Sequence, residues 1–297
     1  MRWDSYLVMS STEDTLAALA EAEGRARIIA GGTDLLVELK REQGHAQPLK
    51  LLDIRRVQAL GRIEQQEESL VIGSAATMSS VTGSPVVASA ARALAQGAGF
   101  MGSPQIRNLA TVGGNLVNAM PAADTAVPLM ALGAQAHVAS GQTERTLPVE
   151  ELFLGVGKSA IDPSKELLTH LTISQCGGPR RASAMKRMAP RKAFTLPQLS
   201  IAVMIELDAA LAAFENVRIV MAPVAPTPKR AKQAESFLIG QPPTAQAIEQ
   251  AAALAREEAN PRDSIRGGAA YRKDMVRVMV KRALSDALAQ LGVEIHG

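Results

Sequence analysis

The chain has 297 residues, enough for a sizeable core and better suited to two domains than to one. Hydrophobic residues make up 47 % and charged residues 21 %, but aromatics only 3 %, so the core must be built from Ala, Leu, Val, Ile and Met. The net charge is +3, and the one dense basic stretch (Arg180, Arg181, Lys186, Arg187, Arg191, Lys192) has only Phe194 beside it, which argues against nucleic-acid binding and leaves a solvated basic face, a phosphate-bearing cofactor or an acidic partner.

A single cysteine, Cys176, excludes a disulfide framework and any iron–sulfur cluster held by this chain alone, because a cluster needs about four; a buried inert thiol is the default reading. The opening MRWDSYLVMSSTEDTL is followed by no apolar signal core. No apolar run reaches the ~18 residues of a membrane span, and the chain reads as cytoplasmic.

In chain order, Ser11 or Thr12 is placed to cap a helix over Glu13–Glu23, stopped by Gly24. A short strand follows (Arg25–Ala30), then Gly31-Gly32-Thr33-Asp34, a helical stretch Leu35–Arg41 and a strand Leu49–Asp53. Next come a hairpin (Leu60–Glu64 with Leu70–Gly73), a helix starting near Thr77 and an alanine-rich helix Val86–Gly97. Turn residues and a glycine pair lead into a helix over Thr125–Leu132 and a strand Gln135–Ala139; Leu167–Ile173 alternates as a half-buried strand should. Cys176-Gly177-Gly178-Pro179 breaks any element and sets the domain boundary, giving domains 1–178 (subdivided at about 55/56) and 179–297. Beyond it, three strands (Ser183–Met188, Gln198–Leu207, Val217–Met221) precede two long helices (Thr244–Ala259, Tyr271–Leu291), an α+β pattern.

Two constellations carry chemistry. In Ile28-Ile29-Ala30-Gly31-Gly32-Thr33-Asp34-Leu35, small residues between a strand and a helix let the backbone approach a ligand, and free N–H groups ahead of the helix favour an anion such as a pyrophosphate. A tight turn with a capped helix explains the same residues without a ligand. The second is Thr111-Val112-Gly113-Gly114-Asn115, with Asp124 further on before a helix, where a plain N-cap is the competing role. No Gly-x-Gly-x-x-Gly occurs, which disfavours a Rossmann site. His45, His137, His170 and His296 are scattered without metal-ligand spacing and read as solvated or core residues. No acid–base set, nucleophile elbow or phosphate-loop lysine is evident.

Taken together, IIAGGTDLLVELK, QIRNLATVGGNLVNAMPAADTAVPLMALGA, KELLTHLTIS, AMKRMAPRKA, VRIVMAPVAPTPKRAKQAESFLIGQ and AYRKDMVRVMVKRAL resemble the FAD-binding subunit of the molybdenum hydroxylases, the family of xanthine and carbon monoxide dehydrogenases, over nearly the whole chain. The resemblance implies an α+β protein: a two-part vanillyl-alcohol-oxidase-like FAD-binding domain, then a smaller C-terminal domain with a three-stranded sheet and helices. It implies that residues 28–35 wrap the FAD diphosphate and that Thr111 to Asn115 form a second clamp. Asp124 then hydrogen-bonds the ribityl chain, Leu168 packs on the flavin nucleotide, Lys186 lies near the isoalloxazine and Met101 takes the place of an adenine-stacking aromatic. No catalytic residue and no metal ligand is implied in this chain. Partners would carry the molybdenum cofactor and two 2Fe-2S clusters, with NAD, oxygen or another acceptor downstream. Thr195 stands where the family often has an acid. With Cys176 alone, the cluster-bearing benzoyl-coenzyme A reductase branch is disfavoured. The rival readings are a free-standing FAD oxidoreductase and an assembly module without redox activity.

Overall fold

The computed structural model describes residues 3–41, 49–174, 177–191, 194–265 and 267–295. The expectations placed on His45, Cys176, Lys192 and His296 lie outside them.

The chain starts with a strand that the sequence reading passed over, β1 (Ser5–Val8). Helix α1 (Thr12–Glu21) follows, capped by Ser11, whose Oγ accepts from Asp14 N at 3.0 Å. It leads to β2 (Ala26–Ile29), α2 (Leu35–Arg41) and β3 (Lys50–Asp53). The three strands form a parallel sheet in the order β1-β3-β2, so β3 is central and the glycine loop leaves its neighbour β2. At the end of β3, buried Asp53 accepts from Arg55 Nη2 at 2.7 Å and Tyr6 Oη at 2.6 Å. Burial pushes its carboxyl up, but these bonds outweigh it and hold the group below its ordinary value.

A short helix α3 (Gln58–Gly61) leads to the hairpin β4 (Ile63–Gln66) and β5 (Ser69–Gly73). The helices α4 (Met78–Gly83), α5 (Pro85–Ala90), α6 (Arg92–Phe100), α7 (Pro104–Arg107), α8 (Val112–Val117) and α9 (Ala126–Ala131) come next. The single helix expected over Val86–Gly97 is thus two helices, broken where Ala91 leaves the helical region at φ −142° and ψ 54°. The break lets α6 turn into the core, with Ala93, Leu94, Gly97 and Ala98 buried. Then come β6 (Gln135–Ser140), β7 (Thr143–Pro148), the small hairpin β8 (Phe153–Gly155) and β9 (Lys158–Ser159), and β10 (Leu167–Ile173). An antiparallel five-stranded sheet runs β4-β5-β10-β6-β7. The strict alternation expected along β10 fails at a register shift between Leu168 and His170. The irregularity puts Leu168 and Leu171, three residues apart, in the same core.

On the opposite face of this sheet, two histidines far apart in sequence meet. His137 and His170 pair across β6 and β10 with ring centroids 4.1 Å apart and nearly parallel planes. His137 Nε2 and Nδ1 contact Thr172 Oγ1 and Thr146 Oγ1 at 2.9 and 3.1 Å. Burial depresses the pKa of both, and for His170 the neighbouring His137 adds to it. An imidazole with a depressed folded-state pKa contributes stability fully above its unfolded value of about 6.5, and loses it as pH falls through the folded value. A His137→Gln/His170→Gln variant should therefore lose stability less steeply than the parent on acidification through that window. Urea denaturation at stepped pH measures this, and an unchanged slope would refute it.

The C-terminal part contains β11 (Arg181–Met188), β12 (Leu199–Leu207), β13 (Phe214–Ala222) and β14 (Lys229–Arg230), joined in that order as an antiparallel sheet. It has four strands rather than the three expected; a two-residue strand leaves no periodic signal. Helices α10 (Lys232–Leu238), α11 (Ala245–Glu258) and α12 (Ala269–Gln290) follow. Strand β12 is buried almost throughout because both faces of this sheet are covered. Ile201, Val203 and Ile205 join the core under the C-terminal helices, whereas Ala202 and Met204 join the core of the preceding part, with Met185, Val220 and Ala222. One hydrophobic core thus runs across the boundary expected at 178/179. Among the described residues no helix is long and apolar enough to cross a membrane.

Candidate functional site

The loop after β2 is shaped by its two glycines for different reasons. A Cβ on Gly31 would lie 2.6 Å from the Leu109 carbonyl carbon and 2.9 Å from Ala110 Cα, with the Leu109 oxygen closer still. Gly32 has φ +67°, a conformation that costs other residues strain. Ile29 is buried and its carbonyl accepts from Ile54 N at 3.1 Å; Ile28 and Ala30 pack against the core beneath the parallel sheet. The carbonyls of Gly32 and Asp34 accept from Leu36 N and from Val37 and Glu38 N. The N–H groups of Gly31, Gly32, Thr33, Asp34 and Leu35 meet no acceptor among the described residues, nor do the side chains of Thr33 and Asp34 make a hydrogen bond there. The Thr33 or Asp34 cap that would have explained the motif without a ligand is therefore not formed. Leu35 anchors the loop against Ile29, Leu39 and Leu51.

The second constellation is the first turn of a helix rather than an open turn. Thr111 caps α8, accepting from Gly114 N at 3.1 Å. Val112 N and Gly113 N donate to Ala76 O and Ser74 O at 3.0 and 2.8 Å, and Asn115 N donates to Thr111 O. A Cβ on Gly113 would lie 2.7 Å from Ser74 Cβ, so this glycine lets α8 sit directly on the 74–76 backbone. Gly114 is exposed, and a Cβ there would meet only Thr111 Oγ1, at 3.1 Å. In each pair one glycine is fixed by the protein's own packing: Gly31 by a close approach and Gly113 by another. The Gly31 approach joins the two constellations, because its neighbours Leu109 and Ala110 directly precede Thr111.

Asp124 is not a helix cap. Thr125 occupies the N-cap of α9, and its N and Oγ1 donate to Asn115 Oδ1 at 3.3 and 2.6 Å. The Asp124 carboxylate instead accepts from Arg187 Nε at 3.0 Å, with the two side chains only 10 % and 3 % exposed. Burial pushes the Asp124 carboxyl up and Arg187 pulls it back, with burial the larger effect. Arg187 also donates to Thr195 O and lies 5.8 Å over the Phe100 ring. Met101, beside Phe100 at the end of α6, accepts from Arg107 Nη1 at 3.0 Å through its carbonyl.

Two expected residues are not brought to this cluster. Lys186 sits on the other face of β11 and pairs with Asp286 of α12. Adjacent strand residues point to opposite faces, and Arg187 shares its face with core residue Met185. Leu168 is 3 % exposed, within the core of the five-stranded sheet. Arg187 is the member of this cluster that sequence reasoning missed. Its signal was the period of two: once Met185 is read as core, Arg187 must face inward, where it needs a carboxylate. Within the basic stretch Arg180 has a carboxylate partner too, Glu215 at 2.8 Å, whereas Arg191 donates to the Phe194 carbonyl.

The comparisons with known proteins concern the family and the fold. Residues 2–175 match the family described as the FAD binding domain in molybdopterin dehydrogenase, and residues 184–287 the CO dehydrogenase flavoprotein C-terminal domain. The chain is 31 % identical to the 6-hydroxypseudooxynicotine dehydrogenase complex subunit alpha of Paenarthrobacter nicotinovorans, over 95 % of this chain and 94 % of that one. It is 29 % identical to a putative xanthine dehydrogenase FAD-binding subunit of Escherichia coli over 98 % of both chains. Among solved structures it resembles carbon monoxide dehydrogenase from Hydrogenophaga pseudoflava, with TM-score 0.88 and 28 % identity over 98 % of each chain. The quinoline 2-oxidoreductase of Pseudomonas putida is similar, at TM-score 0.86 and 25 % identity over 99 % of this chain and all of that one. An α+β chain matched along most of its length by these two flavoprotein domains belongs to the FAD-binding flavoprotein family of the molybdopterin dehydrogenases.

Proposed function

We propose that this chain is the electron-relay subunit of a molybdenum hydroxylase assembly, taking electrons from a partner's iron–sulfur clusters into FAD and passing them to NAD, oxygen or another acceptor. The observation that carries the reading is the run of five N–H groups from Gly31 to Leu35 without an acceptor among the described residues, in a loop packed against the start of the second glycine constellation. Such a run suits the diphosphate of FAD. Exposed Gly114 leaves room for the nucleotide over α8, Thr111 and Asn115 hold that helix start in place, and Asp124 offers an acceptor to the ribityl hydroxyls. Met101 fits a polarizable contact to the adenine. When bound, FAD supplies the exchange between one-electron and two-electron transfer; the residues bind, orient and shield it.

Relatives named as subunits or medium chains of dehydrogenases support a partnered role. So does the single cysteine, which leaves this chain without the ligands for a cluster of its own. The chain should therefore purify from its source cells with iron and molybdenum in the same native species, and alone should not oxidise the assembly's substrate. Native mass determination with metal analysis tests this. A metal-free flavoprotein that turns over a small substrate unaided would replace the reading with a free-standing oxidoreductase.

A further inference from the structure

We infer that Arg187 is a positioning residue for the cofactor: it aims the Asp124 carboxylate at FAD and keeps it charged. The inference rests on the proposal that Asp124 hydrogen-bonds FAD.

The geometry is specific. A guanidinium only 3 % exposed contacts a single carboxylate, through Nε at 3.0 Å from Asp124 Oδ1. Its Nη2 is committed to Thr195 O, and its plane lies over Phe100. Asp124 Oδ2 has no hydrogen-bond partner among the described residues, so that oxygen is left for a ligand. On the other side of Asp124, Asn115 Oδ1 holds Thr125, so the residue is fixed from both directions. Gly97 of α6 lies against the Asp124 backbone carbonyl, and Asn115 of α8 binds the adjacent Thr125; neither is charged. Arg187 is thus the charge that faces Asp124, and burial alone would push the carboxyl toward its neutral form. A neutral carboxyl is a weaker acceptor for a hydroxyl than a carboxylate. Because Arg187 lies on β11, the C-terminal sheet takes part in holding a cofactor whose glycine loops lie in the preceding part.

The test is FAD affinity of the full-length chain, by flavin fluorescence, from about pH 5 to about pH 8. Parent, Arg187→Gln, Arg187→Lys, Asp124→Asn and the Asp124→Asn/Arg187→Gln pair are compared. Arg187→Gln should weaken FAD by about 10- to 100-fold and move the acid loss of affinity to higher pH. Arg187→Lys should restore the pH midpoint. In the Asp124→Asn background, which leaves no carboxylate to hold, Arg187→Gln should change affinity by less than about twofold. That pair carries no unmatched buried charge and should fold even where either single variant folds poorly, so FAD is titrated into the folded fraction of each and the pair is also read against the parent. Parental affinity in Asp124→Asn would overturn the Asp124 assignment itself. A weakened Asp124→Asn beside an Arg187→Gln of parental affinity and pH midpoint would overturn this inference alone. So would an Arg187→Gln loss that is equal at every pH and persists in the Asp124→Asn background.

Discussion

Gly31→Val is expected to abolish FAD binding and to destabilise the protein by more than about 3 kcal/mol, beyond the usual range for overpacking. The obstacle is backbone: the new Cβ would fall within 3 Å of the Leu109 carbonyl carbon and Ala110 Cα, neither of which can rotate aside. Relief requires the glycine loop and the 109–111 segment to part, which would separate the two glycine constellations. Gly114→Val is the informative contrast. Gly114 is exposed, and its Cβ would meet only a threonine hydroxyl. Its stability should stay within about 1 kcal/mol of the parent while FAD binding is lost, because the bulk enters the space assigned to the nucleotide. Flavin content after purification and urea denaturation of the apo-protein separate the two effects. Parental FAD content in Gly114→Val would remove α8 from the site.

Much of this arrangement was legible in the sequence, for identifiable physical reasons. Several elements were found nearly to the residue: α1 and α11, each behind its own cap, Ser11 and Thr244, and also α2 and β10. What escaped depends on tertiary context. Edge strand β1 shows no alternation because Tyr6, Leu7 and Val8 all remain exposed. Helix α8 looked like a turn because two glycines and an asparagine have poor helix propensity, and only their bonds to the 74–76 backbone and the Thr111 cap hold them helical. The break at Ala91 is invisible in an alanine-rich run whose propensity favours one helix. The glycine pairs were readable, but that Gly31 and Gly113 are the members fixed by close packing was not. Nor was the choice between Lys186 and Arg187. Both are long and cationic, and only the register of β11 decides that one meets Asp286 and the other Asp124.

Asp124→Ala is expected to cost the apo-protein about 3–5 kcal/mol, a penalty several times larger than the about 1 kcal/mol of a lost helix cap. The reason lies on the partner. Removing the carboxylate leaves the Arg187 guanidinium, only 3 % exposed, with a backbone carbonyl and the Phe100 ring but no countercharge. FAD affinity should fall as well, by about 10- to 100-fold, since a charge-assisted hydrogen bond is lost. The two losses are separable because Asp124→Ala/Arg187→Met removes both charges while keeping most of the buried volume. That variant should recover most of the lost stability yet none of the lost affinity. Urea denaturation of the apo-forms and FAD titration of the same preparations measure the pair. A stability loss near 1 kcal/mol in Asp124→Ala, unrelieved by Arg187→Met, would mean that water reaches Arg187 and that the ion pair does not join the cofactor site to the C-terminal sheet.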